Sequence, residues 1–278
     1  MAIVAETNKF FKTSRTVLAW FVGLLFFFPI FWMILTSFKT DAVAVKPEFL
    51  FFFTPTLDNY INMTENYDYW RFAANSVITS VFATVFTLVV GIPAAYAMAF
   101  NPSRRTKDVL MWMLSTKMLP AAAVLYPMTF LTKNFLGIFD THFLLILVLS
   151  LINLPIVVWM LFTYFKEIPR EIIEAGKMDG VSTWGEVREI LIPLAWGGIA
   201  STALLCFIFC WNEAYWTVRL TTTEAATLSK LIEGNRAPEG LFFGRLSAVS
   251  AAAVGPIIVL GWFCQKQLVQ GLTFGAVK

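Results

Sequence analysis

Hydrophobic and polar positions alternate along this chain in long blocks: six apolar stretches, each separated from the next by a more polar one. The first, Thr16 to Phe38, runs 23 residues without a charge. At 1.5 Å per helical residue that is enough to cross a hydrocarbon layer about 30 Å thick. It exceeds the apolar core of a secretion signal and precedes no small-residue cleavage site, so it is expected to be retained. The others cover about Ala73 to Phe100, Val109 to Leu131, His142 to Tyr164, Trp196 to Val218 and Leu246 to Cys264. Pro93 is expected to kink the second span, and Lys117, Pro120 and Pro127 to bend or break the third. Residues 39–72 read as a mixed loop whose Tyr67, Tyr69 and Trp70 suit a membrane–water interface.

Between the fourth and fifth spans lies a segment of different character, Glu171 to Pro193, EIIEAGKMDGVSTWGEVREILIP. It reads as helix, glycine turn, helix. Pro169 suits a helix start, and Gly180 suits the left-handed residue that ends one. Thr183 stands three residues before Glu186, the spacing of a capping box that opens a second helix, and Pro193 is expected to end it. Two short charged helices between greasy spans make a handle held outside the membrane.

Composition agrees with this reading. Of 278 residues 58% are hydrophobic and only 14% charged, which places the chain among integral membrane proteins. A net charge of +3, without a basic run longer than Arg104-Arg105, argues against nucleic acid as a partner. With six spans both termini, the 101–108 turn and the handle share one side, which carries 12 of the 21 Lys and Arg residues, against eight on the other. Basic residues favour the cytoplasm, so the handle and both termini are expected there.

The chemistry on offer is sparse. The chain has no phosphate-binding G-x-x-x-x-G-K-[ST] motif and a single histidine, His142. Cys206, Cys210 and Cys264 lie in apolar runs without metal-ligand spacing and read as inert buried thiols. Catalysis is not expected. Lys117 and Glu213 fall within or at the edge of spans, where charge is costly and usually faces a bundle interior or a water-filled path. Lys117 is expected to line such a path or to pair with an acidic group. For Glu213, in FCWNEAYW, a gating role and a structural hydrogen-bond cluster stand level.

The handle resembles the EAA loop of permease subunits of binding-protein-dependent ABC importers, E-A-A-x-x-x-G, nine residues, I-x-L-P. Here it reads Glu174, Ala175, Gly176, three residues, Gly180, nine residues, then Ile190, Leu191, Ile192, Pro193. Gly176 replaces the second alanine and Ile192 the leucine. The PREIIEAGKMDG run, WNEA at 211–214 and the GLTFGAVK ending are similar to sugar-importer permeases such as the smaller permease of the maltose transporter. The resemblance implies an all-α integral membrane protein of the type I importer permease fold, with six transmembrane helices and a cytoplasmic coupling-helix loop. Its parts are a cytoplasmic N-terminal segment 1–15, a permease domain 16–264 containing the loop 167–193, and a cytoplasmic tail 265–278, of which Gly271 to Lys278 reach between ATPases in the maltose system.

The implied partners are a second, different permease, two copies of a cytoplasmic ABC ATPase that binds ATP and Mg, a periplasmic binding protein and the lipid of a bacterial inner membrane; the chain itself holds no cofactor or metal. Coupling to the ATPase is implied for Glu174, Ala175, Gly176, Asp179, Gly180, Ile190 and Pro193. The stretch STKMLPAAAVLYP at 115–127 is most similar to sorbitol/mannitol importers, which implies a polyol cargo; maltose or trehalose, another carbohydrate, or glycerol phosphate is the alternative. In the maltose system the bound sugar contacts only the larger permease, so this chain is expected to line the pathway, and any cargo contact is expected among Lys117, Asn153, Trp159, Asn212, Glu213 and Trp216. An ion-driven secondary transporter would need paired broken repeats and intramembrane carboxylates, of which the chain offers Glu213 alone. A receptor that recruits a partner through the handle without transport is a further alternative.

Overall fold

The structure is a computed structural model and describes residues 9–46, 51–235 and 242–265. The described residues form helices α1 (Lys9–Ser37), α2 (Asp41–Ala44), α3 (Asp58–Asn66), α4 (Tyr69–Phe100), α5 (Thr106–Thr116), α6 (Ala121–Asn134), α7 (His142–Lys166) and α8 (Arg170–Met178). A short α9 (Thr183–Gly185), a π-helical turn (Glu186–Leu191) and α10 (Ile192–Leu194) follow as one rod, then α11 (Trp196–Trp211), α12 (Tyr215–Leu220), α13 (Leu228–Gly234) and α14 (Phe243–Phe263). Four helices are long and apolar enough to span a membrane by themselves, within Lys12–Ser37, Tyr69–Phe100, His142–Lys166 and Phe243–Phe263. Two more candidates are bent pairs, α5 with α6 at 84° and the Thr183–Leu194 rod with α11 at 85°, so the count reaches six when each pair is one span.

The differences from the expected boundaries have local causes. Helix α1 starts at Lys9 and so takes in the end of the expected polar segment 1–15. Residues 39–72, expected as loop, hold α2 and α3, and α4 already begins at Tyr69. Pro93 lies inside α4 without ending it. The break expected in the third span falls at Lys117 to Pro120, where Pro120 is the extended residue that opens α6. The expected fifth span, 196–218, stops as α11 at Trp211, and the Glu213 carboxylate accepts the Trp216 N–H at 3.2 Å to start α12 instead. The terminal segment Gly271 to Lys278 lies outside the described residues.

The chain divides into two units. One comprises Met1–Asp68 with Gly234–Val254, the other Tyr69–Glu233 with Gly255–Lys278. In the first, Asn59 Nδ2 donates to the carbonyls of Ser37 and Lys39 at 2.9 and 2.7 Å, and Gly244 N–H to Asp41 Oδ1 at 3.0 Å. A Cβ on Gly244 would stand 2.7 Å from the Lys39 carbonyl, so that crossing requires glycine. The Lys39 ammonium is buried 4.2 Å from the centre of the Trp32 ring, a cation–π contact.

The second unit is built on α4 against α7. Small residues make the contact: Ala83, Thr87, Gly91 and Ala95 are buried on α4, opposite Leu149, Val157, Val158 and Leu161 of α7. A Cβ on Gly91 would come within 3.1 Å of Val157 Cγ1. Small residues let two backbones approach where lipid supplies no hydrophobic drive between helices. Ser150 Oγ crosses to the Ala83 carbonyl at 3.1 Å, and Thr79, Thr84 and Thr87 return their hydroxyls to carbonyls one turn back. Helix α11 closes the core with Ile199, Cys206 and Cys210, and its Gly198 faces the ring of Tyr164, where a Cβ would meet Cγ at 2.6 Å.

At the far end of this unit from the handle, Asp140 holds the 222–225 segment. Its carboxylate accepts the N–H groups of Thr222, Thr223, Glu224 and Ala225 at 2.9 to 3.2 Å and the Thr222 hydroxyl. Burial alone would raise the pKa of Asp140, but the Thr222 hydroxyl and the backbone donors outweigh it, and the group lies well below the usual carboxylate range. Asn75 continues the network to the Glu224 and Ala226 carbonyls and to His142 Nε2. His142, the single histidine of the chain, is thus one member of a loop clamp.

A carboxylate with a lowered pKa stabilises the fold above the unfolded value, about 4, and loses that contribution only as pH falls through the folded value. The purified protein is therefore expected to keep this clamp at pH 4 to 5, whereas Asp140→Ala lowers stability by about 2 kcal/mol at pH 7, the scale of a charge-assisted hydrogen bond. Thermal unfolding of both proteins across pH 4 to 7 checks this: equal stability at pH 7 would show that the clamp contributes nothing.

Candidate functional site

The handle folds as the glycine turn requires. Helix α8 ends with Gly180 at φ +81°, and both bonds of a Schellman motif are made: Gly180 N–H to the Lys177 carbonyl and Val181 N–H to the Gly176 carbonyl, each at 3.0 Å. Pro169 precedes the first helical residue as its N-cap. The second half starts differently from the expected capping box. Ser182, not Thr183, is the cap, accepting the Gly185 N–H at 3.2 Å. Glu186 points inward instead: it is 1% exposed and accepts the hydroxyl of Tyr96 on α4. The rod ends at Leu194, one residue past Pro193, and turns through 85° into α11, so the stop expected at the proline falls within one residue of it.

The residues expected to couple sort into two sets. Glu174, Ala175, Asp179, Gly180 and Pro193 are exposed. Gly176 is buried, and a Cβ there would stand 2.5 Å from Ile190 Cδ1, so these two hold the halves of the handle together. Sequence reading missed Met178, 89% exposed at the tip, and Trp184, 65% exposed. Large apolar side chains standing out of a charged segment were the available signal, since exposed apolar surface marks contact with a partner. It also missed Leu191, fully buried as the anchor of the rod.

The expected pathway residues converge in part. A cavity of about 370 Å³ opens between the α5–α6 break, α7 and the 212–214 break, and Lys117, Glu213 and Trp216 all line it. Lys117 Nζ reaches Asn153 Oδ1 at 3.3 Å, and buried Asn153 donates to the Leu149 carbonyl at 2.9 Å and to Cys210 Sγ at 3.4 Å. One positive and one negative group thus share an otherwise apolar wall of Val148, Leu151 and Met128. Trp159 and Asn212 stay apart: both are exposed, and the Asn212 amide turns back to the Ile208 carbonyl at 2.9 Å. Among the described residues no group of three or more His, Cys, Asp or Glu side chains is placed to hold a metal ion.

Residues 91–272, which contain the handle and the cavity wall, match the family described as binding-protein-dependent transport system inner membrane component. The chain belongs to this family. It is similar along its whole length, at 31% identity and with 100% of both chains covered, to the probable ABC transporter permease protein y4oR of Sinorhizobium fredii. The trehalose transport system permease protein SugB of Mycobacterium tuberculosis is 32% identical over 90% of this chain and 92% of its own. In fold it resembles a chain in the crystal structure of a bacterial ABC transporter involved in the import of the acidic polysaccharide alginate. The TM-score is 0.75 at 23% identity, with 96% of this chain and 99% of that one covered. The permease is a multi-pass membrane subunit without catalytic activity of its own, and ATP is bound and hydrolysed by a separate ATPase subunit. An engine driven by an ion gradient, and a receptor without transport, are thereby set aside.

The Gly176 contact gives a graded test. Gly176→Ala meets only the mobile end of Ile190, which can turn away, so the variant is expected to reach the membrane and bind its ATPase like the parent. Gly176→Leu overfills the junction at a cost of about 1–3 kcal/mol and is expected to lose ATPase co-purification. Equal ATPase recovery with both would show that the two halves of the handle need not pack closely.

Proposed function

We propose that this permease passes a neutral, hydroxyl-rich carbohydrate inward, paired with a second, different permease above two copies of the ATPase, with handle and termini on the cytoplasmic side. The observation that carries the coupling role is the exposed tip: Glu174, Ala175 and Asp179 stand beside Met178, outside the core, on a helix whose other face is anchored by Ile173 and Gly176. A charged rim around one protruding apolar side chain suits insertion into a cleft of a soluble subunit. The excess of basic residues on the handle side supports the orientation.

For the cargo, relatives carry the names trehalose and trehalose/maltose permease. The preferred reading is nevertheless a sugar alcohol of sorbitol or mannitol size. The 115–127 stretch that suggested it supplies Lys117, Leu119 and Val124 to the cavity, whose volume sits at the low end of the roughly 300–1,000 Å³ usual for small-molecule sites. A disaccharide is the second reading, favoured by the trehalose relative. The Trp216 ring offers an apolar face, and Lys117 with Asn153 offers polar tips for hydroxyl groups.

Reconstituted with its ATPase, partner permease and binding protein, the complex is expected to raise ATP turnover with sorbitol or mannitol more than with trehalose or maltose; stimulation by the disaccharides alone would reverse the choice. Gly180→Asp puts a Cβ into the left-handed region at a cost of about 1 kcal/mol and adds charge at the tip. That variant is expected to insert normally but to lose at least tenfold in ATP-driven uptake. Full uptake would remove the handle from the coupling role.

A further inference from the structure

Glu186 is the one fully buried carboxylate among the described residues, and neither the packing of the core nor the exposed tip accounts for it. Its Oε2 accepts the Tyr96 hydroxyl, and Tyr96 is itself 4% exposed on α4. On its other side stands Lys177 Nζ at 3.9 Å, carried by α8 and half in solvent. Three helical segments meet at this one carboxylate: α4, α8 and the π-helical turn that Glu186 opens. One turn further along α4, Arg170 at the start of α8 donates to the Ala99 carbonyl at 3.3 Å, so the handle grips α4 at two neighbouring points.

A buried carboxylate is an expensive way to fill space, since its desolvation costs several kcal/mol unless the partners are well placed, and an apolar side chain of that volume would pack without the penalty. Its use is specificity of position: the hydroxyl of Tyr96 admits one register of the rod against α4. A π-helical turn holds one residue more than the helix needs, a feature concentrated at functional positions. Here it starts at the carboxylate that does the gripping. The tie to Lys177 is longer and wet, so movement of α8 parts that pair first and leaves the pair with Tyr96 intact.

We infer that Glu186 and Tyr96 form a transmission joint, positioning residues through which displacement of the handle is passed to α4 in addition to its covalent continuations, α7 and α11. This rests on the coupling reading of the handle given above. Because α4 lies along α7 through Gly91 and Ala83, a push received at Tyr96 moves the packed pair as one body and not α7 alone.

The test uses the full complex in vesicles, with radiolabelled sorbitol and trehalose run in parallel. It reads uptake per ATP hydrolysed, together with the ATPase recovered on the purified permease. Tyr96→Phe removes one oxygen and is expected to lower uptake per ATP by about tenfold to a hundredfold, the worth of one hydrogen bond to a charged acceptor, with ATPase recovery unchanged. Glu186→Ala is expected to do the same and the Tyr96→Phe/Glu186→Ala pair no more, whereas Glu186→Gln, which keeps an acceptor, restores most of the ratio. Should Glu186→Ala fail to reach the membrane, Tyr96→Phe and Glu186→Gln decide. Unchanged uptake per ATP in Tyr96→Phe, multiplied losses in the double variant, or uptake lost only in proportion to ATPase lost would each overturn the joint. Failure of the coupling reading itself shows separately, as a handle carrying Asp179→Cys that does not cross-link to the ATPase in the otherwise unchanged complex.

Discussion

Hydrocarbon offers no hydrogen-bond partner to a peptide group, and the placement of every break in this chain follows from that constraint. A span that leaves helical geometry must do so where protein or water meets the freed groups. Two of the breaks in the second unit, at 117–120 and 212–214, border the same cavity. The two ionisable residues of the spans, Lys117 and Glu213, occupy these breaks. Charge and irregular backbone share the one place where each is tolerated. The cavity is thus a consequence of where the helices stop.

The rest of the unit is arranged to keep that wall rigid. Helices α4 and α7 approach closely through Ala83, Gly91 and Ala95, and interhelical hydroxyl bonds replace the hydrophobic drive that lipid removes. Asn153 on α7 connects this rigid pair to the cavity by holding Lys117 on one side and Cys210 of α11 on the other. Beyond the cavity, Asp140 fixes the segment after α12 with a row of backbone donors, so the break at 212–214 is held from both ends. Movement imposed on one end of such a body has little internal slack in which to be lost.

Much of this was legible in the sequence, and the limits have physical causes. Span positions follow from apolar length, which the bilayer sets directly, and the left-handed Gly180 follows from the one residue type that adopts it cheaply. The bend near Pro120 follows from its missing N–H. Glu186 was misread because its spacing from Thr183 satisfies a local rule, whereas Tyr96, 90 residues earlier, offers a partner that no local pattern can reveal. The end of the rod at Leu194, one residue past Pro193, follows, as at Pro120, from the proline's missing donor. Trp159 and Asn212 were grouped with the pathway for their chemistry alone. Helical phase places them outside the cavity lining: Asn153 faces inward on α7 and Trp159, six residues on, faces out.

In the coupling role proposed above, the handle poses a problem of force rather than of chemistry. Its tip must be wettable and free enough to meet a soluble subunit, yet its base must be stiff enough that a push is not spent in bending. The sequence divides these demands by exposure: Met178 and Asp179 stand in solvent, while Ile173, Gly176 and Leu191 are buried. Apolar packing alone would leave the rod able to slide against α4, because dispersion contacts are non-directional and one register differs little from the next. A hydrogen bond from a buried phenol to a buried carboxylate has no such tolerance, since a slip of one residue would leave a charge unpaired in the core at a cost of several kcal/mol. A single polar contact at the root of the handle therefore fixes what many apolar contacts could only fill.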